Sequence, residues 1–171
     1  MNSKRKKIFD VFLFFNELDL LELRLKTLFE IVDYFIITEV NETFSGKEKD
    51  LIFTRYKDRF RKYERKIIYN PISKKELESL KTKEFVQYIS DFNISLAYKH
   101  NGKPAKKIKN SLKREISHRD SCILGFYNLV SDEDFILLSD LDEIPNPKTI
   151  KETIKSSLDK PYYFKMKWYI Y

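Results

Sequence analysis

Asp140 and Asp142 are the side chains whose type and spacing best fit a chemical role. They follow a largely apolar run at residues 134–139, which predicts a buried strand. On an extended segment, side chains two residues apart leave the same face, so the two carboxylates would repel each other unless a cation lies between them. Hard oxygen ligands of this kind suit Mg²⁺ or Mn²⁺, and an ion held there neutralises charge on a departing diphosphate. The plainer alternative is an acidic turn that caps the next helix.

The opening of the chain predicts a scaffold that would position this pair. Residues 8–15 form an apolar run typical of a strand that is covered on both faces. Asn16 is a good N-cap, and a stripe of leucines then predicts an amphipathic helix: Leu18, Leu21, Leu25 and Leu28. Residues 34–38 predict a second apolar strand, and a strand–helix–strand crossover of this kind is normally parallel and right-handed.

The rest of the chain continues this alternation. The further predicted elements are a charged helix at 54–65, a short strand at 66–69, a helical stretch at 76–98, a loop at 99–107, a helix at 108–130, the strand before Asp140, a helix that begins at Asn146-Pro147, and an aromatic strand at 162–171. The pattern predicts an α/β fold, an αβα sandwich with a mostly parallel central sheet. In such sheets ligands bind beyond the carboxyl ends of the strands. Asn16, Glu17 and Glu39 fall at such ends, so we expect them to converge with the acid pair on one edge.

Basic side chains provide candidate contacts for a phosphorylated ligand. Arg119 and Asp120 interrupt the apolar stripe of the helix predicted at 108–130, where a buried charge needs a partner or a function. Both residues are candidate contacts for a nucleotide sugar. Either Arg119 faces a diphosphate, which a guanidinium recognises well, or it forms a structural pair with an acid. Lys47, directly after Gly46, is a candidate phosphate contact, and a solvated loop lysine fits the sequence at least as well.

Length and composition narrow the class of protein. The 171 residues suffice for a single domain over 1–171, and the 42% of hydrophobic residues argues against disorder. The net charge of +7 suits phosphorylated substrates, nucleic acid or the surface of an anionic membrane. Nucleic acid fits less well, because the aromatic residues lie in apolar patterns rather than between the basic runs. Cys122 is the only cysteine, so no internal disulfide forms, and we expect a buried, inert thiol. Neither His100 nor His118 receives a role.

The N-terminus does not match a signal peptide. Asp10 interrupts the apolar run at 8–15, and no small-residue cleavage site follows it. The run is also far shorter than the roughly 20 residues that span a bilayer. We therefore expect a cytoplasmic protein, with peripheral membrane contact as the remaining option.

Five stretches resemble glycosyltransferase family 17, which includes the β-1,4-mannosyl-glycoprotein β-1,4-N-acetylglucosaminyltransferases. They are Ile-Phe-Asp-Val-Phe-Leu-Phe-Phe-Asn-Glu-Leu-Asp-Leu-Leu-Glu-Leu-Arg-Leu at 8–25, Val-Asp-Tyr-Phe-Ile-Ile-Thr-Glu at 32–39, Thr-Phe-Ser-Gly-Lys at 43–47, Arg114-Glu115 with Arg119, and Ser-Asp-Leu-Asp-Glu-Ile-Pro at 139–145. The resemblance implies a GT-A-type fold and an inverting transfer of N-acetylglucosamine from UDP-N-acetylglucosamine to a glycan acceptor, assisted by Mn²⁺ or Mg²⁺.

The same resemblance implies roles for individual residues. Asp142 would bind the metal directly, and Asp140 would contact the metal or the ribose, with Glu143 in support. Asn16, Glu17 and Glu39 would line the nucleotide pocket. No residue is identified as the general base; the family continues beyond the position of Tyr171 into acceptor-binding strands. We accordingly expect the chain to bind donor, to transfer sugar poorly, and to self-associate through the aromatic strand at 162–171.

Two other classes of protein fit parts of the sequence. Phosphatases of the haloacid dehalogenase type also place an Asp-x-Asp pair after an apolar strand, but there the pair normally opens the domain and is followed by Gly or Thr. Here it begins at Asp140 and is followed by Glu-Ile-Pro. The other class is a non-catalytic domain that binds a nucleotide sugar without transferring it.

Overall fold

The apolar runs predicted as strands form one parallel sheet in the computed structural model, which describes residues 5–80, 110–156 and 161–166. The strands are β1 (Ile8–Leu13), β2 (Tyr34–Val40), β3 (Ile67–Ile72) and β4 (Phe135–Leu138), in the order β3-β2-β1-β4. All three neighbouring pairs are parallel. β1 and β2 are buried on both faces, as expected for near-continuous apolar strands in a parallel sheet. The prediction of a buried strand at 134–139 is wrong, because β4 lies at the edge of the sheet and leaves Ile136 and Leu138 exposed.

The helices of the described residues are α1 (Leu18–Leu28), α2 (Ile52–Tyr56), α3 (Lys74–Leu80), α4 (Asn110–Asp120) and α5 (Pro147–Lys155). The start of α5 is as predicted, because the Lys148 N–H donates to the Asn146 side chain at 2.8 Å and Pro147 lies in the first turn. The predicted N-cap of α1 is wrong. Glu17 rather than Asn16 is the N-cap residue, and its carboxylate turns back to accept from the Phe15 and Asn16 N–H groups.

The helix predicted at 54–65 is replaced by the single-turn α2 and a 3₁₀ segment at Lys57–Lys66. Only Phe60 and Tyr63 of the 3₁₀ segment are buried. They are three residues apart, which matches the three residues per turn of a 3₁₀ helix. The charged residues between them leave no wider apolar face for an α-helix to bury.

The helix predicted at 108–130 is also shorter than expected. It ends at Asp120, and a 3₁₀ segment follows at Ser121–Gly125. The buried Ser121 hydroxyl donates to the His118 carbonyl at 2.7 Å, which competes with the helical ladder. Gly125 then packs so closely on β2 that an added Cβ would lie 2.5 Å from Ile36 Cγ2. The chain turns here because close contact with the sheet outweighs continuation of the helix.

Three predicted elements fall partly or wholly outside the described residues. The helical stretch predicted at 76–98 is described only as α3, through Leu80, and the loop predicted at 99–107 is not described. The aromatic strand predicted at 162–171 is wrong for its described part, since residues 161–166 belong to no strand. Phe164 in that part packs on the hydrophobic core instead.

The core has one layer on each face of the sheet. On the first face, Phe12, Phe35 and Ile37 pack with the buried leucines of α1 and with Ile150 of α5. On the second face, Phe9, Val11 and Ile36 pack against Cys122. Side chains therefore alternate between the two faces along β1 and β2, as the pleat requires. The result is a Rossmann-like αβα arrangement, and no helix among the described residues is long and apolar enough to cross a bilayer.

Candidate functional site

A cleft of about 280 Å³ lies at the carboxyl ends of β1, β2 and β4. Its apolar wall comes from the end of β1 and from Leu20 and Val40, and two partly exposed rings, Phe15 and Phe44, also line it. Its polar lining consists of Glu17, Glu42, Lys49, His118, Arg119, Asp140 and Asp142. The strand ends meet here because β1 pairs with both β2 and β4.

The two aspartates reach the cleft through a turn rather than along an extended segment. The Glu143 N–H donates to the Asp140 carbonyl at 3.1 Å, which closes a β-turn, and Leu141 between the aspartates is buried in the core. The predicted alternation on an extended segment is therefore wrong. Both carboxylates line the cleft nonetheless, because the turn anchors Leu141 inward and leaves Asp140 and Asp142 outside.

A fully buried arginine of α1 holds this turn. The Arg24 guanidinium makes a two-pronged contact with Asp10 of β1, at 2.9 and 2.8 Å. It also donates to the Ser139 hydroxyl and to the carbonyls of Asp140, Leu141 and Glu143, at 2.7 to 3.2 Å. Arg24 was not identified as a functional residue from the sequence. Two signals mark it: a cation within the leucine stripe of α1 and an acid within the apolar run of β1.

Asp140 faces Arg119, whose Nη2 donates to Asp140 Oδ2 at 2.9 Å and to Glu115 at 3.1 Å. Burial, together with the charges of Glu143 and Asp142, raises the pKa of the Asp140 carboxyl, and Arg119 opposes this shift. The side chains of Arg119 and Asp140 are 49% and 43% exposed, so their pairing contributes little to stability. The guanidinium is accordingly free to exchange this partner for a ligand at small cost.

Asp142 and Glu143 complete the acidic turn. Asp142 is exposed, and its carboxylate has no protein partner within the part of the chain that the structure describes. Glu143 Oε2 accepts from the Asp140 N–H at 3.1 Å, which is a supporting position. Among residues 5–80, 110–156 and 161–166, no group of three or more Asp, Glu, His or Cys side chains is placed to hold a metal ion. Asp140 and Asp142 thus offer two oxygen ligands, and a bound metal would need further oxygens from water or substrate.

The prediction that Asp120 contacts the ligand is not supported by the cleft, because Asp120 lies outside its lining. Its Oδ2 is buried without a hydrogen-bond partner among the described residues, and burial raises the pKa of Asp120 to about 6. Arg119, its neighbour in the predicted stripe, is exposed instead. The apolar stripe of α4 is therefore interrupted for two reasons: Arg119 faces solvent at the cleft, and Asp120 is partly buried outside the cleft lining.

The remaining predicted site residues either line the cleft or lie outside its lining. Glu17 lines the cleft, and Asn16 and Lys47 lie outside its lining. Glu39 is fully buried behind the wall and accepts from Lys49 Nζ, the Ile52 and Phe53 N–H groups and the Tyr69 hydroxyl, at 2.6 to 3.1 Å. Its carboxylate caps α2 and positions Lys49. Lys49 lines the cleft and was not predicted as a site residue from the sequence.

Glu42 and His118 are also cleft residues to which no role was assigned from the sequence. Both are buried, with His118 Nε2 3.9 Å from Glu42 Oε2 and the His118 ring 5.2 Å from that of Phe44. Lys74 Nζ and Arg114 Nε approach the other oxygen of Glu42, at 3.0 and 3.6 Å. The loop after β2 and the α4 helix meet at this cluster.

A family model, glycosyltransferase family 17, matches residues 1–94, more than half of the 171-residue chain. The chain belongs to glycosyltransferase family 17. The match contains β1 to β3 with Glu17, Arg24 and Lys49, whereas the Asp140 turn lies outside it. Neither a curated protein nor a solved structure matches the chain. Membership of family 17 supports a glycosyl-transferring enzyme in general terms.

Proposed function

We propose that this family 17 chain binds a UDP-sugar, with UDP-N-acetylglucosamine as the expected donor, and takes part in its metal-dependent, inverting transfer to a glycan acceptor. The observation that carries the proposal is the meeting of Asp140, Asp142 and Arg119 at one cleft beyond the carboxyl ends of a parallel sheet. Open sheets of this type bind their ligands at that edge.

The two aspartates provide the donor set that a divalent ion requires. Carboxylate oxygens are hard ligands that suit Mn²⁺ or Mg²⁺, and Mg²⁺ is commonly held by one or two carboxylates together with substrate phosphates. Asp142 is the stronger candidate ligand, because Asp140 already accepts from Arg119. When bound, the ion would neutralise negative charge on the departing diphosphate.

The chain's own residues would hold the donor around that ion. Arg119 exchanges Asp140 for a phosphate oxygen, since a guanidinium matches the fork of a phosphate. Arg24 keeps the turn carbonyls fixed from below, so that neither aspartate needs to reorganise on binding. An inverting transfer also needs a base at the acceptor hydroxyl, and we assign none.

Calorimetry on the purified chain tests the proposal with UDP and UDP-N-acetylglucosamine, each with and without Mn²⁺. We expect binding heat only when the metal is present. Asp142→Ala should abolish the metal-dependent binding and leave the circular dichroism spectrum unchanged, because the exposed carboxylate contributes no core contact.

Asp132→Asn is the matched control, since it removes one exposed acid before β4, away from the cleft lining. It should bind UDP as the unmodified chain does. If folded protein with metal present shows no binding heat with any nucleotide sugar, the proposal is wrong. Loss of structure in Asp142→Ala would instead support the helix-capping alternative for the acidic turn. Binding without transfer to any acceptor would identify a non-catalytic nucleotide-sugar-binding domain.

A further inference from the structure

A second cationic cluster lies around Glu42, apart from the Arg119 contact. Lys74 Nζ and Arg114 Nε approach the same Glu42 oxygen, at 3.0 and 3.6 Å. Glu42 is 4% exposed, so one buried carboxylate balances only one of two adjacent positive charges. Two like charges that share a single counter-charge leave a local excess that attracts an anion.

The backbone at Gly46 lies close against the Arg114 guanidinium. Gly46 has φ of +89°, and a Cβ added there would lie 2.7 Å from Arg114 Cζ and 2.8 Å from Nη2. Any other residue would push the guanidinium away, because only glycine leaves this space free and adopts this conformation without strain. The planar group therefore lies against the loop at residues 43–47.

The hydrogen-bonding capacity of the Arg114 guanidinium is largely unused among the described residues. Within the described part of the chain, the terminal nitrogens of Arg114 donate to no protein acceptor, and its side chain is 30% exposed. The Arg119 contact lies elsewhere on α4, because Arg114 is directed to Glu42 and Arg119 to Asp140. A partly exposed arginine whose terminal nitrogens are unpaired among the described residues suits a phosphate or carboxylate.

We propose that Arg114, with Lys74 beside it, forms an oxyanion subsite distinct from the Asp140 and Arg119 contact. The inference rests on the proposed function in that the oxyanion is a group carried by a substrate of the same enzyme. Two sources share this chemistry: a phosphate of the nucleotide donor, or an acidic group on the acceptor sugar. The acceptor class in the second case is a phosphorylated or carboxylated saccharide.

Nuclear magnetic resonance of the ¹⁵N-labelled chain tests the subsite with inorganic phosphate as the probe. The chain has only 3 glycines, so the Gly46 amide is readily assigned beneath the guanidinium. We expect a saturable shift of the Gly46 signal, with binding weakened about 10- to 100-fold in Arg114→Gln, the loss of one or two charge-assisted contacts. Lys74→Gln should weaken it several-fold. Lys113→Gln is the control, because it removes one exposed charge from the same helix.

The Gly125 signal reports whether each variant is folded, since Gly125 packs directly on Ile36. If Arg114→Gln does not fold, Lys74→Gln carries the test, because Lys74 is half-exposed. Phosphate binding that is absent, or that is the same in Lys74→Gln and Arg114→Gln as in Lys113→Gln, overturns the subsite.

Further titrations with UDP and with sugars identify the source of the oxyanion. Arg114-dependent binding of UDP assigns it to the donor, and Arg114-dependent binding of glucose 6-phosphate or glucuronate, without binding of glucose, assigns it to the acceptor. UDP binding that needs Asp142, combined with no Arg114-dependent binding of any of these probes, retains the proposed function and overturns the subsite. Arg114-dependent phosphate binding without any UDP binding supports the subsite and contradicts the proposed function.

Discussion

Replacement of the buried Arg24 tests how the acidic turn is held. Arg24→Met keeps an unbranched side chain in α1 and removes six hydrogen bonds, two to Asp10 and four to residues 139–143. Asp10 is fully buried, so its carboxylate would remain inside the protein without a counter-charge. We expect a marked loss of stability together with a loosened acidic turn at residues 139–143.

The magnitude follows from the uncompensated charge. Removing one partner of a buried ion pair costs about 3–5 kcal/mol. This agrees with an attraction of about 4 kcal/mol between charges about 4 Å apart at an effective dielectric of about 20. Native proteins are stable by only about 5–15 kcal/mol, so Arg24→Met should be close to unfolding. The double variant Asp10→Val/Arg24→Met removes both charges and should recover most of that loss.

Urea denaturation followed by circular dichroism measures each variant of the double-mutant cycle. We expect Asp10→Val and Arg24→Met to be strongly non-additive, and Arg61→Met to change stability by less than about 0.5 kcal/mol, because Arg61 pairs with Asp58 on the exposed surface. The double variant should still bind Mn²⁺ and UDP weakly, since no guanidinium then holds the turn carbonyls. Additive single effects, or a cost below about 1 kcal/mol for Arg24→Met, would refute the reasoning.

Two further predictions concern α4. The pKa of Asp120 is raised from 3.8 to about 6, so the native state favours the protonated acid, and stability should fall as the pH rises from about 4 through 6. Asp120→Asn removes the cost of a buried carboxylate and should stabilise the chain by about 1 kcal/mol at pH 7.5, after allowance for partial exposure. At pH 4 it should change stability by almost nothing. An equal shift of the urea midpoint at both pH values contradicts a raised pKa for Asp120. Arg119→Lys should weaken UDP binding about tenfold in calorimetry, because the point charge of a lysine does not match two phosphate oxygens at once, and should leave the melting temperature nearly unchanged. Retained affinity with lost stability would instead identify a structural ion pair.

Much of the fold was predictable because its signals are local. The strand–helix–strand opening follows from an apolar run, a leucine stripe and a second apolar run, and the structure confirms all three as β1, α1 and β2. The start of α5 follows from Asn146 and Pro147, whose capping geometry involves only neighbouring residues. The helix boundaries near residues 56 and 120 were predicted less well. At these points 3₁₀ packing against the sheet competes with helical periodicity, and local propensity does not decide the outcome.

The sequence by itself determined the parallel α/β class, the position of the acid pair directly after an apolar strand, and the meeting of strand ends at one edge, since each depends on short-range patterns of side chains. It did not show that this strand lies at the edge of the sheet with Ile136 and Leu138 exposed. The tertiary structure decided which of the singled-out residues share the cleft. It placed Glu39 behind the wall as a cap, brought Lys49 and His118 into the lining, and set Gly46 against Arg114. It also joined Arg24 to the turn at residues 139–143, more than a hundred positions away. Contacts at such separations depend on strand order and on the packing of α1 and α4, and the periodicity of the sequence does not predict them.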